Sequence, residues 1–294
     1  MEQERSQSQK ESPMQYLLLI CLIVFVAAQS IIKKQYNLKA EYPKVFFFSA
    51  VTAAAEVVFF AISSGFRFEF VPELIPYSIA FAVVFSAMLI GGFLSISWGP
   101  LSITMLIISY SLLIPTFYGL FKGETIGITG IIGGILLLIS LFLIRAKKEK
   151  MNFSVKWLIA VMVTFLVNGL SSIILDIQPE KFNGMYKNEF MIMAMLLSSI
   201  ILLVAALIQK EKIFKEKRLC LTMGAANGVS NALVNLLVMY LASRIASVIL
   251  FPVVSAGGIL LGFIMAIFVY REKLSKMQMI GYFIGVASIV LLKL

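Results

Sequence analysis

Apolar residues run through this chain in long blocks rather than in alternation. Tyr16–Ile32, Val45–Phe66, Leu74–Phe121, Thr125–Ile144, Trp157–Leu175, Phe190–Gln209, Leu219–Ser243, Ile245–Tyr270 and Met277–Leu292 are free of charge except for Glu56. A helix needs about 20 mostly apolar residues to cross a bilayer. The block Leu74–Phe121 holds 48 residues and fits two crossings. Its break falls at Trp98-Gly99-Pro100, where Gly frees the backbone and Pro cannot continue a helix. Each of the other blocks fits one crossing. The pattern predicts an all-α integral membrane protein of ten transmembrane helices, because backbone groups in hydrocarbon must bond within their own helix. Met1–Gln15 is a polar N-terminal tail. Val26-Ala27-Ala28 loosely resembles a signal cleavage site, but the first span is read as retained because it has a counterpart later in the chain.

Composition sharpens this picture. Of 294 residues, 60% are hydrophobic and 14% charged, with mean hydropathy +0.97. Soluble chains carry roughly 25% charge. The chain has no histidine, which excludes His-ligated metals and His-based acid–base catalysis. Its two cysteines, Cys21 and Cys220, build no disulfide framework. No cofactor is expected. The net charge of +10 comes from Lys and Arg in short loops. That leaves no basic face for nucleic acid and makes the lipid bilayer the expected partner. Most of these charges fall in odd-numbered loops, among them Lys33, Lys34, Lys39 and Lys44. By the positive-inside rule this places both termini outside.

The two halves echo each other. Lys122-Gly123-Glu124-Thr125-Ile126 matches Tyr270-Arg271-Glu272-Lys273-Leu274, and Gly133 matches Gly281, all 148 residues apart. Ser30-Ile31-Ile32 matches Ser172-Ile173-Ile174 at an offset of 142. The expected organisation is a tail, 1–15, then five-helix repeats at 16–150 and 151–294. Five is odd, so the second repeat is inverted relative to the first, as in many secondary transporters.

Pro252-Val253-Val254-Ser255, Gly262, Arg271-Glu272-Lys273-Leu274-Ser275 and Ile280-Gly281 resemble the ending of EamA-like members of the drug/metabolite transporter superfamily. Ile114-Pro115-Thr116, Gly123-Glu124 and Gly133 form a weaker copy. The Trp-Gly common near the end of the family's first span is replaced by Ala28-Gln29. The resemblance implies a secondary transporter of a small organic molecule. It also implies cytoplasmic termini, opposite to the charge count.

Polar residues at membrane depth mark the candidate site. Glu56 lies mid-span within Ala53-Ala54-Ala55-Glu56-Val57-Val58. An ionisable group there is costly and usually faces a cavity, a partner or a proton path. Proton coupling and a structural hydrogen bond both remain open for it. The position one repeat later is Ser198. Asn227, Asn231 and Asn235 are spaced by four and share one helix face, with Ser230 beside them. They read either as a cavity wall or as interhelical glue. Gln29, Asn168 and Tyr110 are further candidates for the substrate cavity. Pro115 and Pro252 are candidate hinges. Gly258 with Gly262, Gly281 with Gly285, Gly130 with Gly134 and Gly224 with Gly228 have the spacing of close helix packing.

The expected function is secondary-active transport of a small organic metabolite or drug-like molecule by alternating access, as efflux or exchange, with protons as a possible partner. The localisation expected is the cell membrane. A flippase of lipid-linked substrates is the alternative within the same fold. A membrane enzyme is disfavoured, since no GxSxG, HExxH or phosphate-cradling motif occurs. The sequence does not specify an oligomeric state.

Overall fold

The computed structural model describes residues 13–41, 43–98, 104, 107–108, 110–111, 113–123, 127–144, 154–213, 215–268 and 276–293. Among them are ten α-helices: α1 (Pro13–Lys39), α2 (Val45–Ser63), α3 (Ile75–Trp98), α4 (Leu113–Phe121), α5 (Ile128–Ile144), α6 (Val155–Lys181), α7 (Lys187–Ile208), α8 (Lys217–Ala242), α9 (Ser247–Phe268) and α10 (Lys276–Lys293). A short 3-10 turn, Pro72–Leu74, leads into α3. Helices α1, α2, α3, α6, α7 and α8 are long and apolar enough to cross a membrane.

Helix ends follow local chemistry more closely than hydropathy. α2 stops at Ser63, short of Phe66, because Gly65 turns the chain with φ 62°. Ser154 caps α6 by accepting a hydrogen bond from the Trp157 N–H at 3.1 Å. Two expectations are corrected. α1 runs on through Lys33 and Lys34, which the charge count had placed in a loop. α6 continues past Leu175 through Asp176 to Lys181, with Pro179 inside its last turns. Long basic side chains can extend along a helix end towards water, so a lysine after an apolar run does not by itself end the helix. α3 ends at Trp98 as expected, while Gly99 and Pro100 lie outside the described residues. A second break follows in the same block. The chain turns at Ser111, and Pro115 sits in the first turn of α4, where its missing N–H costs no helical hydrogen bond.

α2 packs against α7, α8 and α3. Phe60, Phe81, Phe85, Phe190, Met195 and Leu202 belong to the apolar core built around it. α5 lies along α10, α6 along α3, and α8 along α1. Many large apolar side chains on the outer faces are exposed, including Ile20, Val24, Ile135, Ile159 and Ile200. That is the surface expected to meet lipid tails.

Glycines set the closest helix contacts. A Cβ on Gly224 would come within 2.9 Å of Val51, and one on Gly228 would lie 2.7 Å from the Ala55 Cβ and closer still to the Thr52 carbonyl. This pair therefore fixes the α2–α8 approach. On α10, Ser140 of α5 donates a 2.6 Å hydrogen bond to the Gly281 carbonyl, and a Cβ on Gly285 would lie 2.7 Å from the Ser140 hydroxyl. Two expectations of tight packing are not met. Among the described residues, Gly134 has nothing within 4 Å of a built Cβ, and Gly258 would make only ordinary contact with Val26 at 3.7 Å. A tight position on α9 is Gly257, which faces Ile23 of α1. A four-residue spacing names a helix face, but not whether another helix lies against it.

The end of the molecule at the start of α2 is closed by side chains from the α7–α8 connection. Glu211 accepts hydrogen bonds from the Phe46 and Phe47 N–H groups, at 3.0 and 2.8 Å. These are donors of the first helical turn with no partner within the helix. The Lys44 ammonium, almost wholly buried, donates to the Lys215 carbonyl. Below this clamp Tyr36 stacks on Phe48 with ring centroids 4.5 Å apart, and Phe93 meets both rings.

Candidate functional site

The glycine contacts bring one face of α8 against α2 and align their polar positions. Thr52 and Glu56 are four residues apart on α2, and Asn227, Asn231 and Asn235 repeat that spacing on α8. The Asn231 amide donates to Glu56 Oε1 at 2.8 Å, and the Asn235 amide to Oε2 at 3.0 Å. The Asn227 amide donates to the Thr52 hydroxyl at 3.2 Å. Glu56 and Asn227 are fully buried, and Asn231 and Asn235 nearly so. Ser230 is buried beside them. The three amides thus meet the side chains of α2 directly. The Asn227 Oδ1 atom is buried and has no hydrogen-bond partner among the described residues. Lys33 of α1 lies near enough for its charge to act on Glu56.

The other expected cavity residues are placed separately. Asn168 of α6 donates its amide to the Ser111 hydroxyl at the break before α4. Gln29 on α1 and Tyr110 are half-buried. Ser198 of α7 exchanges a 2.8 Å hydrogen bond with Ser86 of α3. Pro115 and Pro252 are buried, Pro252 within α9. Glu124 and Glu272 lie outside the described residues, as does the side-chain environment of Gly262.

Sequence reasoning missed two participants at the Glu56 cluster. Thr52 could have been found from its four-residue spacing to Glu56, which copies the α8 stripe. Lys33 was hidden because hydropathy ended the first span at Ile32.

A second buried carboxylate lies at the opposite end of the molecule. Asp176, 3% exposed, accepts from the Ser247 hydroxyl at 2.7 Å and from the Lys122 ammonium at 3.2 Å. Lys122 also pairs with Glu180 at 2.5 Å. The residues before α5, in α6 and at the start of α9 are tied here. Burial works against the Lys122 charge, but hydrogen bonding and attraction from Glu180 and Asp176 outweigh it and hold the ammonium above the usual lysine range. A group whose pKa is raised on folding contributes stability below its unfolded value, about 10.4 for lysine, and loses it as pH rises through the folded value. A thermal-melting series across alkaline pH is therefore expected to separate wild type from Lys122→Gln below about pH 10 and to bring them together only as pH rises through the higher folded value of Lys122.

The helical spans and the buried polar pairs between them define a multi-pass α-helical membrane protein in contact with the lipid bilayer. Residues 155–294 match the model of the EamA-like transporter family, within the drug/metabolite transporter superfamily. Its members are generally transporters rather than enzymes. A solved structure, described only as "Crystal structure of protein", is similar in fold, with TM-score 0.73 at 11% identity over 96% of this chain and 98% of its own. No curated protein matches the sequence.

Proposed function

We propose that this protein is a secondary-active carrier in the cell membrane that exports or exchanges a small organic solute by alternating access, with Glu56 as the coupling carboxyl. The observation that carries this reading is the fully buried Glu56, held by two amides from a second helix. A carboxyl at that depth is retained where it pairs, relays a proton or binds. Here each oxygen meets a neutral donor that a substrate can replace without stranding a second charge. The buried Asn227 Oδ1 leaves an acceptor open beside it. Orphaned buried polar atoms are uncommon and point to a further partner.

The five-plus-five organisation belongs to the same proposal. Exchanging each helix with the one five places on carries the α1–α8 packing onto α6–α3, α2–α8 onto α7–α3, and α1–α9 onto α6–α4. The pairs α2–α7, α4–α9 and α5–α10 map onto themselves. Under this exchange the Glu56–Asn231 contact corresponds to Ser198–Ser86. One half supplies a carboxyl where the other supplies a hydroxyl, so a single titrating group serves the whole carrier.

The test is uptake by purified protein in liposomes, across a panel of metabolites and drug-like cations, with and without an imposed pH gradient. Accumulation above that of protein-free liposomes, increased by the gradient, is the expected result. A panel in which no solute moves faster than in protein-free liposomes would count against transport.

A further inference from the structure

Where α4, α6 and α8 end and α7 and α9 begin, the structure holds an open cavity of about 770 Å³. One wall carries the Lys122–Asp176–Glu180 group, in which the lysine is committed to two carboxylates. The other wall is different. The Arg244 guanidinium lies on the Tyr240 ring, 3.7 Å from its centroid, and the Lys187 ammonium reaches the same ring at 5.7 Å. The two charges are close enough to act on each other. Among the described residues neither has a carboxylate within 4.0 Å. Both hydrogen bonds of Arg244, to the Tyr240 carbonyl at 3.1 Å and the Ser243 hydroxyl at 3.3 Å, use Nη1. Its Nε–Nη2 edge, which can grip two oxygens side by side, has no protein acceptor among the described residues.

Two like charges held in one concave wall repel each other unless an anion sits between them. Stacking on tyrosine and the bonds to Tyr240 and Ser243 hold the guanidinium where that cost is incurred. We propose that Lys187 and Arg244, with Tyr240 as their platform, form a binding site for the oxyanion group, carboxylate or phosphate, of a small solute or a lipid headgroup. The Arg244 fork takes two oxygens of the anion and Lys187 supplies a second, mobile charge. Asn183 and Ser243, also in the cavity lining, offer polar groups to the rest of the ligand.

This site is independent of the Glu56 cluster, and the experiment keeps the two apart. Full-length protein is placed in nanodiscs of phosphatidylcholine alone or of phosphatidylcholine with phosphatidylglycerol, and binding of radiolabelled inorganic phosphate is measured with the melting temperature. A free-solute site gives saturable phosphate binding in neutral discs. A headgroup site gives a higher melting temperature in phosphatidylglycerol discs and loss of phosphate binding there. Either result supports an oxyanion site, provided that Lys187→Gln/Arg244→Gln weakens it by about tenfold or more. Arg244→Lys keeps the charge but removes the fork, and is expected to weaken binding severalfold. It carries the test if the double variant does not fold. Glu56→Gln should bind as wild type does. The proposal is overturned if wild type neither binds phosphate saturably nor gains stability from phosphatidylglycerol, or if the charge-removing variant binds with wild-type affinity.

Discussion

Replacing Glu56 with Gln is expected to leave a folded protein whose transport no longer responds to a pH gradient. Gln keeps the shape of the side chain and one carbonyl acceptor. It can still receive one of the two amides, from Asn231 or Asn235, that reach the carboxyl at 2.8 and 3.0 Å. The second asparagine can rotate its own amide to offer oxygen to the new NH₂ group, so no buried donor need be stranded. The stability cost is that of weakening a buried hydrogen bond, about 1 kcal/mol. What Gln cannot do is gain and lose a proton. In proteoliposomes the gradient-driven component of uptake should fall to background, while exchange between identical solutes on the two sides persists. If gradient dependence is unchanged in this variant, Glu56 is a structural hydrogen-bonding group and the coupling ion acts elsewhere.

The second large effect is expected at Gly228. A side chain there would drive into the Thr52 backbone carbonyl and the Ala55 Cβ. Neither can swing aside, because both are fixed to the α2 backbone. Gly228→Val must therefore push α8 off α2, and it stretches the bonds from Asn231 and Asn235 to Glu56 as it does so. Overpacking of this kind typically costs about 1–3 kcal/mol, and here it removes buried polar pairing as well. A fall in melting temperature in detergent is expected, together with loss of transport. Gly134→Ala is the matched control. Among the described residues nothing lies within 4 Å of a Cβ built at that position, so a comparable loss there would show that glycine is needed for some reason other than helix contact.

The parts of the site that lie on a single helix were legible in the sequence. A lone carboxylate in an apolar block and three asparagines at one spacing are visible because a helix turns position into direction. Their pairing with each other was not legible, since Glu56 and Asn231 are 175 residues apart and α2 could have faced any of several neighbours. Asp176 was not legible as a buried residue, for a different reason. It stands at the edge of an apolar run, which suggests exposure, yet Lys122 and Ser247 cover it from 54 and 71 residues away. Hydropathy also assigned Lys33 to a loop, because it counts where apolar residues end and not where backbone hydrogen bonds do. α3 ends at Trp98, where the sequence placed the break, while the Gly and Pro that prompted it lie outside the described residues. The turn at Ser111 carries no such signal, and Asn168 bonds to it from another helix.

The Glu211 cap has a consequence for how the molecule can move. Its carboxylate holds two donors in the first turn of α2, and the same α2 carries Glu56. Parting α2 from the α7–α8 connection would leave a carboxylate and two backbone N–H groups facing a gap. A dry gap is prohibitive at such a place, because each unsatisfied group costs a kcal/mol or more (about 1–3) and the charge costs further. The separation can proceed only as fast as solvent enters to hydrate the parting surfaces. In the carrier proposed above, opening this end and wetting it would then be one event.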